Sequence, residues 1–328
     1  VNEMGKICIG VDIGGTSIKM GLVDTNGAIQ HKWEIETNKA EHGKFIVQEV
    51  WSSIENELNN RGVEHSSLLG IGIGAPGFID SKNAYVFEAV NIGWKNVDLG
   101  TQFQEISNLP TYLENDANVA VLGENWQGAG NNADNVIAIT LGTGVGGGII
   151  ANGEIIDGAN GTAGEIGHMT IDPNGLPCNC GRKGCLETIA SATGFAKQGL
   201  EMAIQDPAGM LAAHYQKTGH ITAKDIFDFA ADGDQGSMKI IDRTTDLLGL
   251  TIANLATVLN PSKVLIGGGV SKAGNQLVEP IRKAFQSYAL TRTAAACEIK
   301  VAQLGNDAGL IGAAYLVLQH EENNNKQK

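Results

Sequence analysis

The hydrophobic pattern opens on a strand. Residues 6–12 alternate in apolar character and then turn at Gly14-Gly15. Ser17–Asp24 and residues 28–36 read as two further strands around Asn26-Gly27, a dipeptide that favours tight hairpins. Residues 42–60 change period, with Phe45, Val50 (or Ile46), Ile54 and Leu58 on one helical face. Residues 68–74 predict a strand opening into Ala75-Pro76-Gly77. Residues 111–114 predict a short strand, with a helix over 118–126 directly behind it. Residues 246–259 are apolar almost all round, the mark of a buried helix, and Asn260-Pro261 closes it. A strand at 263–266 leads into Gly267-Gly268-Gly269, residues 309–317 form a last apolar helix, and 321–328 are a polar tail expected to fray.

Between these elements the opening pattern recurs. Val136–Leu141, the turn Gly142-Thr143-Gly144 and a strand at 148–151 lie 128 residues after 9–13, Gly14-Gly15-Thr16 and 20–23. Each copy ends in an Asn-Gly turn, the second at Asn152-Gly153. A strand–glycine turn–strand unit met twice implies two domains on one plan with a cleft between them. Chance recurrence of short glycine hairpins is the alternative.

Composition narrows the class. A chain of 328 residues favours two domains over one, and 42% hydrophobic with 18% charged residues is ordinary for a soluble globular protein. A net charge of −13 with no Lys/Arg run argues against nucleic acid, so an anionic ligand must be held by local backbone donors. No segment approaches the ~18 continuous apolar residues of a membrane span, and no signal pattern opens the chain, so a cytoplasmic protein is expected. Of five cysteines, Cys8 and Cys297 sit in apolar strands and read as core residues. The other three, Cys178, Cys180 and Cys185, cluster ten and more residues after His168. One imidazole and three thiolates suit a closed tetrahedral Zn²⁺ site, and Pro177, Gly181 and Gly184 allow a tight wrap around the ion.

The 44 glycines concentrate in loops after strands. Residues 72–77 and 142–147 both match G-x-G-x-x-G, but a dinucleotide site needs a helix after the turn. Here one turn runs into a Pro-Gly loop and the other into a strand, and no P-loop sequence is present. What remains is two turns whose backbone N–H groups can cradle phosphates, or that merely reverse the chain. Asp12 precedes the first turn, where a carboxylate could hold Mg²⁺ through water, and Thr16 and Lys19 could reach the same phosphates. The second turn offers Thr143 and Gly144, with Thr140 where the first has Asp12. Asp116 stands at a strand-to-helix junction, where it reads either as a helix N-cap or as the base for phosphoryl transfer to an alcohol.

Taken together, Asp12-Ile-Gly-Gly-Thr-Ser, Gly74-Ala-Pro-Gly, Glu114-Asn-Asp-Ala-Asn, Leu141-Gly-Thr-Gly-Val-Gly-Gly-Gly, Gly164-Glu-Ile-Gly-His and Cys178-Asn-Cys-Gly-Arg-Lys-Gly-Cys-Leu-Glu resemble the ROK family (repressors, open reading frames and kinases) over nearly the whole chain. Within the family the likeness is greatest to the branch of bacterial glucokinases. The resemblance implies an α/β fold with an actin-like (ribonuclease H-like) ATPase core, in which two related domains flank a cleft. The smaller domain would comprise 1–117 plus 302–328, with the C-terminal helix packing back onto it, and the larger 118–301 with the zinc loop. The implied activity is phosphorylation of glucose at its 6-hydroxyl by ATP, with Asp116 as base. Gly77, Asn91, Asn115, Asp116, Glu165, His168 and Glu187 are implied as sugar ligands, although Glu165 and Glu187 read in isolation as solvated helix-start acids. Asp12, Gly14, Gly15, Thr16, Lys19, Thr143 and Gly144 would serve ATP and Mg²⁺, with Gly268 and Gly269 near the adenosine. A homodimer is also implied. Kinases for N-acetylmannosamine, mannose or fructose, a polyphosphate donor and a sugar-sensing repressor are the alternatives. Such a repressor carries a DNA-binding domain ahead of a sugar domain that here begins near Lys6.

Overall fold

The computed structural model describes residues 5–326 and divides into two compact units, 1–132 with 155–163 and 306–328, and 133–154 with 164–305. The first is built on β1 (Ile7–Ile13), β2 (Ser17–Asp24) and β3 (Ile29–Glu36), followed by α1 (Ile46–Arg61), which Gly62 ends in the left-handed region at φ 64°. Next come β4 (Leu68–Ala75) and a small antiparallel sheet of β5 (Phe78–Asp80), β6 (Tyr85–Ala89) and β7 (Trp94–Asp98). Helix α2 (Leu99–Ser107), β8 (Thr111–Asn115) and α3 (Asp116–Gln127) follow. The main sheet has the order β3-β2-β1-β4-β8, antiparallel from β3 to β1 and parallel from β1 to β8. Burial explains the order. Almost every residue of β1 is buried, as a central strand requires, whereas β3 alternates half-buried and exposed residues, as an edge requires.

The second unit repeats the scheme. Strands β9 (Val136–Leu141), β10 (Val145–Ala151) and β11 (Glu154–Ile155) lead through the metal-loop region to α4 (Glu187–Ala190), α5 (Ala192–Gln205), α6 (Met210–Thr218), α7 (Ala223–Ala231) and α8 (Gln235–Leu259). Then come β12 (Lys263–Gly267), α9 (Asn275–Tyr288), α10 (Thr291–Ala296) and β13 (Glu298–Val301). The sheet order is β11-β10-β9-β12-β13, with β10–β9 antiparallel and β9–β12–β13 parallel. The internal repeat is therefore a repeat of topology, and the expected two-domain α/β core is present. Neither G-x-G-x-x-G match is followed by a helix: β4 leads to β5, and β9 to β10.

Helix α11 (Ala308–Lys326) returns to the first unit and lies on β1, β4 and α3. It can do so because the backbone is bare where they meet. A Cβ on Gly72 would overlap the Ala313 carbonyl oxygen, one on Gly123 that of Ala308, and one on Gly312 that of Val119. The expected end of the first segment at 117 lies instead at 132, because α3 packs against α11. Two helices also outrun their sequence signals. Helix α8 begins at Gln235 because its first half is amphipathic, burying Ile240, Ile241, Thr244 and Thr245. Helix α11 continues past Glu321, with His320 stacked on Tyr112 at 4.0 Å between ring centroids; 327–328 of the expected tail lie outside the described residues. No described helix is long and apolar enough to cross a membrane.

Replacing Gly312 with valine forces α11 off α3. Urea unfolding should show a loss of about 2 kcal/mol or more, at the upper side of overpacking penalties; an unchanged midpoint would mean that the two helices separate freely.

Candidate active site

In the first unit, strand register builds one end of the site. Asp12 and Lys19 are paired across β1 and β2, which places the ammonium 3.9 Å from the carboxylate. Burial pushes the Asp12 carboxyl up and Lys19 draws it back. Gly309 lies so close that a Cβ there would stand 2.7 Å from a carboxylate oxygen, so α11 fixes Asp12 from behind. The turn itself closes by Gly14 N–H to Ser17 C=O at 3.0 Å. Thr37, which sequence reasoning missed, braces it: its hydroxyl donates to the Gly14 carbonyl at 2.7 Å and its N–H to the Thr16 carbonyl at 3.0 Å. Thr16 is exposed. Beside Gly15 lie Asn91 and the ammonium of Lys39, the latter also missed. Both Thr37 and Lys39 follow the last β3 pair, Ser17↔Glu36, and no local feature of the sequence marks them.

Asn115, not Asp116, caps α3. Its side-chain oxygen accepts from the N–H groups of Ala117 and Asn118 at 2.9 and 3.4 Å, while its amide donates to the Gly77 carbonyl at 3.1 Å. Gly77 has φ 100°, and a Cβ there would overlap the Glu88 carbonyl oxygen. Asp116 is the first helical residue, exposed, accepting from Ala117 N–H at 2.8 Å. The capping role weighed for Asp116 thus falls to its neighbour.

In the second unit, Gly142 N–H bonds the Gly144 carbonyl at 2.9 Å, and the Thr193 hydroxyl holds the Thr143 carbonyl at 2.9 Å. Glu187, at the start of α4, reaches the turn: one carboxylate oxygen accepts from Val145 N–H at 3.0 Å, where a Cβ on Gly144 would collide with it. Its other oxygen accepts from the Cys178 thiol at 3.8 Å. His168 presents Nδ1 to Cys178 Sγ at 3.7 Å and Nε2 to the Glu165 carboxylate at 4.0 Å.

The donor atoms of His168, Cys178, Cys180 and Cys185 all lie within 4.8 Å of one another, and the Cys180 and Cys185 sulfurs are 3.6 Å apart. A tetrahedral zinc with Zn–S bonds of about 2.3 Å spaces its thiolates by ~3.8 Å, so the set fits that ion. The backbone N–H of Arg182, and then its guanidinium, hold the Cys180 thiol down to about 6, a thiolate ready for a cation. Gly268, at φ 84°, packs on the end of β9, where a Cβ would stand 2.5 Å from the Leu141 carbonyl oxygen. Gly269 is open, and lines a cavity of about 490 Å³ with Val270, Thr222, Lys224, Phe227 and Gln276.

A duplicated strand–glycine turn–strand sheet, with an acid at a strand–helix junction in one copy and a thiol–imidazole cluster in the other, defines an actin-like fold suited to phosphate. The chain belongs to the ROK family, whose model matches residues 8–320. It is 50% identical to a glucokinase of Halalkalibacterium halodurans over 97% of both chains. A glucokinase of Thermotoga maritima is 37% identical over 94% of this chain and 96% of its own. Among solved structures, a ROK family glucokinase from Streptomyces griseus in complex with glucose and AMPPNP has 37% identity and a TM-score of 0.73, covering 95% of this chain and 99% of that one.

Gly144→Ala tests the carboxylate–turn contact. The new methyl displaces Glu187, and loss of a charged hydrogen bond should speed hydrogen exchange at the Val145 amide about tenfold or more; unchanged protection would show that Glu187 does not hold the turn.

Proposed function

We propose that the chain is a glucokinase, moving the γ-phosphoryl group of ATP to the 6-hydroxyl of glucose in the cytoplasm. The observation that carries this reading is the β8–α3 junction. With Asn115 taking the cap, Asp116 stands exposed at the head of α3, the place where a carboxylate accepts the hydroxyl proton as the new O–P bond forms. Similarity to glucokinases over almost the full chain supports the same substrate pair.

The two glycine turns divide the nucleotide. Gly14, Gly15, Thr16 and Lys19 hold terminal phosphates, with Asp12 positioned to bind Mg²⁺ through water; the ion, when bound, neutralises phosphate charge. Thr143 and Gly144 hold phosphate on the second unit, and the cavity beside Gly268 and Gly269 takes the adenosine, Phe227 lending an apolar wall. Glucose takes hydrogen bonds from Gly77, Asn91, Asn115 and Asp116, and from Glu165, His168 and Glu187, whose carboxylates suit vicinal hydroxyls. Zinc at His168, Cys178, Cys180 and Cys185 is structural, since four protein donors leave it no open position. With Nδ1 turned to the cluster, His168 keeps Nε2 for the sugar. The family resemblance also implies a homodimer, which sedimentation would reveal.

A coupled phosphorylation assay over glucose, mannose, fructose and N-acetylmannosamine, with ATP and polyphosphate as donors, should give the highest kcat/KM for glucose with ATP. A different preferred sugar or donor overturns the assignment. Asp116→Asn should keep the fold and glucose affinity but lower kcat by ~10²–10⁴, the usual loss for a general base; near-normal turnover would remove Asp116 from the chemistry.

A further inference from the structure

Behind the Asn115–Asp116 junction lies a second acid that the reaction does not use. Glu114 is 5% exposed. Its Oε1 accepts from the Asn115 N–H at 2.6 Å and from the Asn118 amide at 3.0 Å. The same Asn118 amide nitrogen reaches a carboxylate oxygen of Asp157, which brings the two carboxyl groups side by side. Asp157 accepts from the Ser81 hydroxyl at 2.7 Å and from the Asn118 amide at 3.3 Å. Asp157 comes from the segment 155–163, which packs within the first unit although β10 before it and Gly164 after it belong to the second. Gly161 fastens the same segment, since a Cβ there would overlap the Ile79 carbonyl oxygen of β5.

Two ionised carboxylates side by side repel and cannot bond each other, whereas a proton on one removes the repulsion and lets it donate to the other. Oε1 of Glu114 already serves two N–H donors, which leaves Oε2 to carry it. We propose that Glu114 is a positioning residue: as a neutral acid it donates to Asp157 and, through Oε1, fixes the turn that presents Asp116, latching the base to the strap that leads into Glu165. The role rests on Asp116 being the base.

The surroundings favour the neutral form. Strand β4 has no titratable side chain, Asp80 of β5 is engaged by Asn83, and Glu105 of α2 is exposed. On α11, His320 stacks on Tyr112, and on α3 Glu124 accepts from Ala129 N–H. Asp116, two residues along, is exposed, so Asp157 is the charge that meets Glu114. Burial first, and then Asp157, push the Glu114 carboxyl up to about 7 from 4.5. A carboxyl raised in the folded state stabilises the fold fully below its unfolded value and loses that contribution as pH rises through about 7.

The experiment compares Glu114→Gln and Glu114→Ala with the parent. Glutamine keeps the acceptor and supplies a permanent donor to Asp157, so kcat should stay within about threefold; alanine frees the turn, and kcat should fall about tenfold or more while the KM for ATP holds. Thermal unfolding, read without substrate, should find parent and Glu114→Gln alike near pH 4.5, with the parent falling progressively below the variant up to about pH 7 and the gap constant above it. A pH-independent difference in unfolding midpoint overturns the shared proton. Equal losses of kcat in both variants, or no loss in Glu114→Ala, overturn the positioning role. Turnover surviving in Asp116→Asn overturns that role through the base assignment, a failure the thermal arm does not share.

Discussion

The Glu187 carboxylate is anchored by the Val145 N–H of the glycine turn and stands beside the metal cluster, 3.8 Å from the Cys178 sulfur. A side chain tied to a backbone N–H has less rotamer freedom left to lose when a ligand arrives. Sequence places the partners far apart, at 145, 178 and 187, and the tight loop around Gly181 and Gly184 closes the distance. Gly184 is bare of necessity: a Cβ would overlap the Asp172 carbonyl oxygen. The turn at 142–144, the thiol–imidazole cluster, His168 and Glu187 thereby come together within the second unit, and under the proposed function they act as one assembly.

In the first unit, backbone packing rather than a thiol–imidazole cluster places the candidate residues. Glycines at 72, 123 and 312 let α11 settle onto the sheet and α3, and the same descent brings Gly309 against the Asp12 carboxylate. Helix α3 is pinned by that packing along its length and by the Asn115 cap at its start, so Asp116 rides on a fixed element. The two units share sheet order but divide the labour, with an acid at β1 in one and a threonine at the matching place in the other.

Much of this was legible in the sequence because the relevant signals are local. Gly14-Gly15, Gly142-Thr143-Gly144, the acid at 116 and the Cys178–Cys185 cluster each lie within a few residues, and the 128-residue offset exposed the duplication. What escaped depends on pairings across the chain. Thr37 meets Gly14 across 23 residues, Asp157 lies 43 beyond Glu114, and neither partner bears any local mark of the other. The cap was ambiguous for a different reason: Asn115 and Asp116 are both strong cap formers, and only the dihedral angles at Asn115 (φ −63°, ψ 146°) decide between them. The early start of α8 was hidden because its first half has the ordinary amphipathic period, whereas its second half is mostly apolar and carries the stronger signal.

Under the proposed function, the metal cluster and the sugar-side residues His168 and Glu187 act as one assembly. The direct measurement is zinc content together with glucose and ATP affinity for Cys180→Ser beside the parent protein. The parent should carry one zinc per chain; the variant should lose it and bind glucose at least about tenfold more weakly, as altered metal shells typically do, with ATP affinity changed far less. A variant that lacks zinc yet binds glucose like the parent, or a parent purified without chelator that holds no zinc, would contradict it.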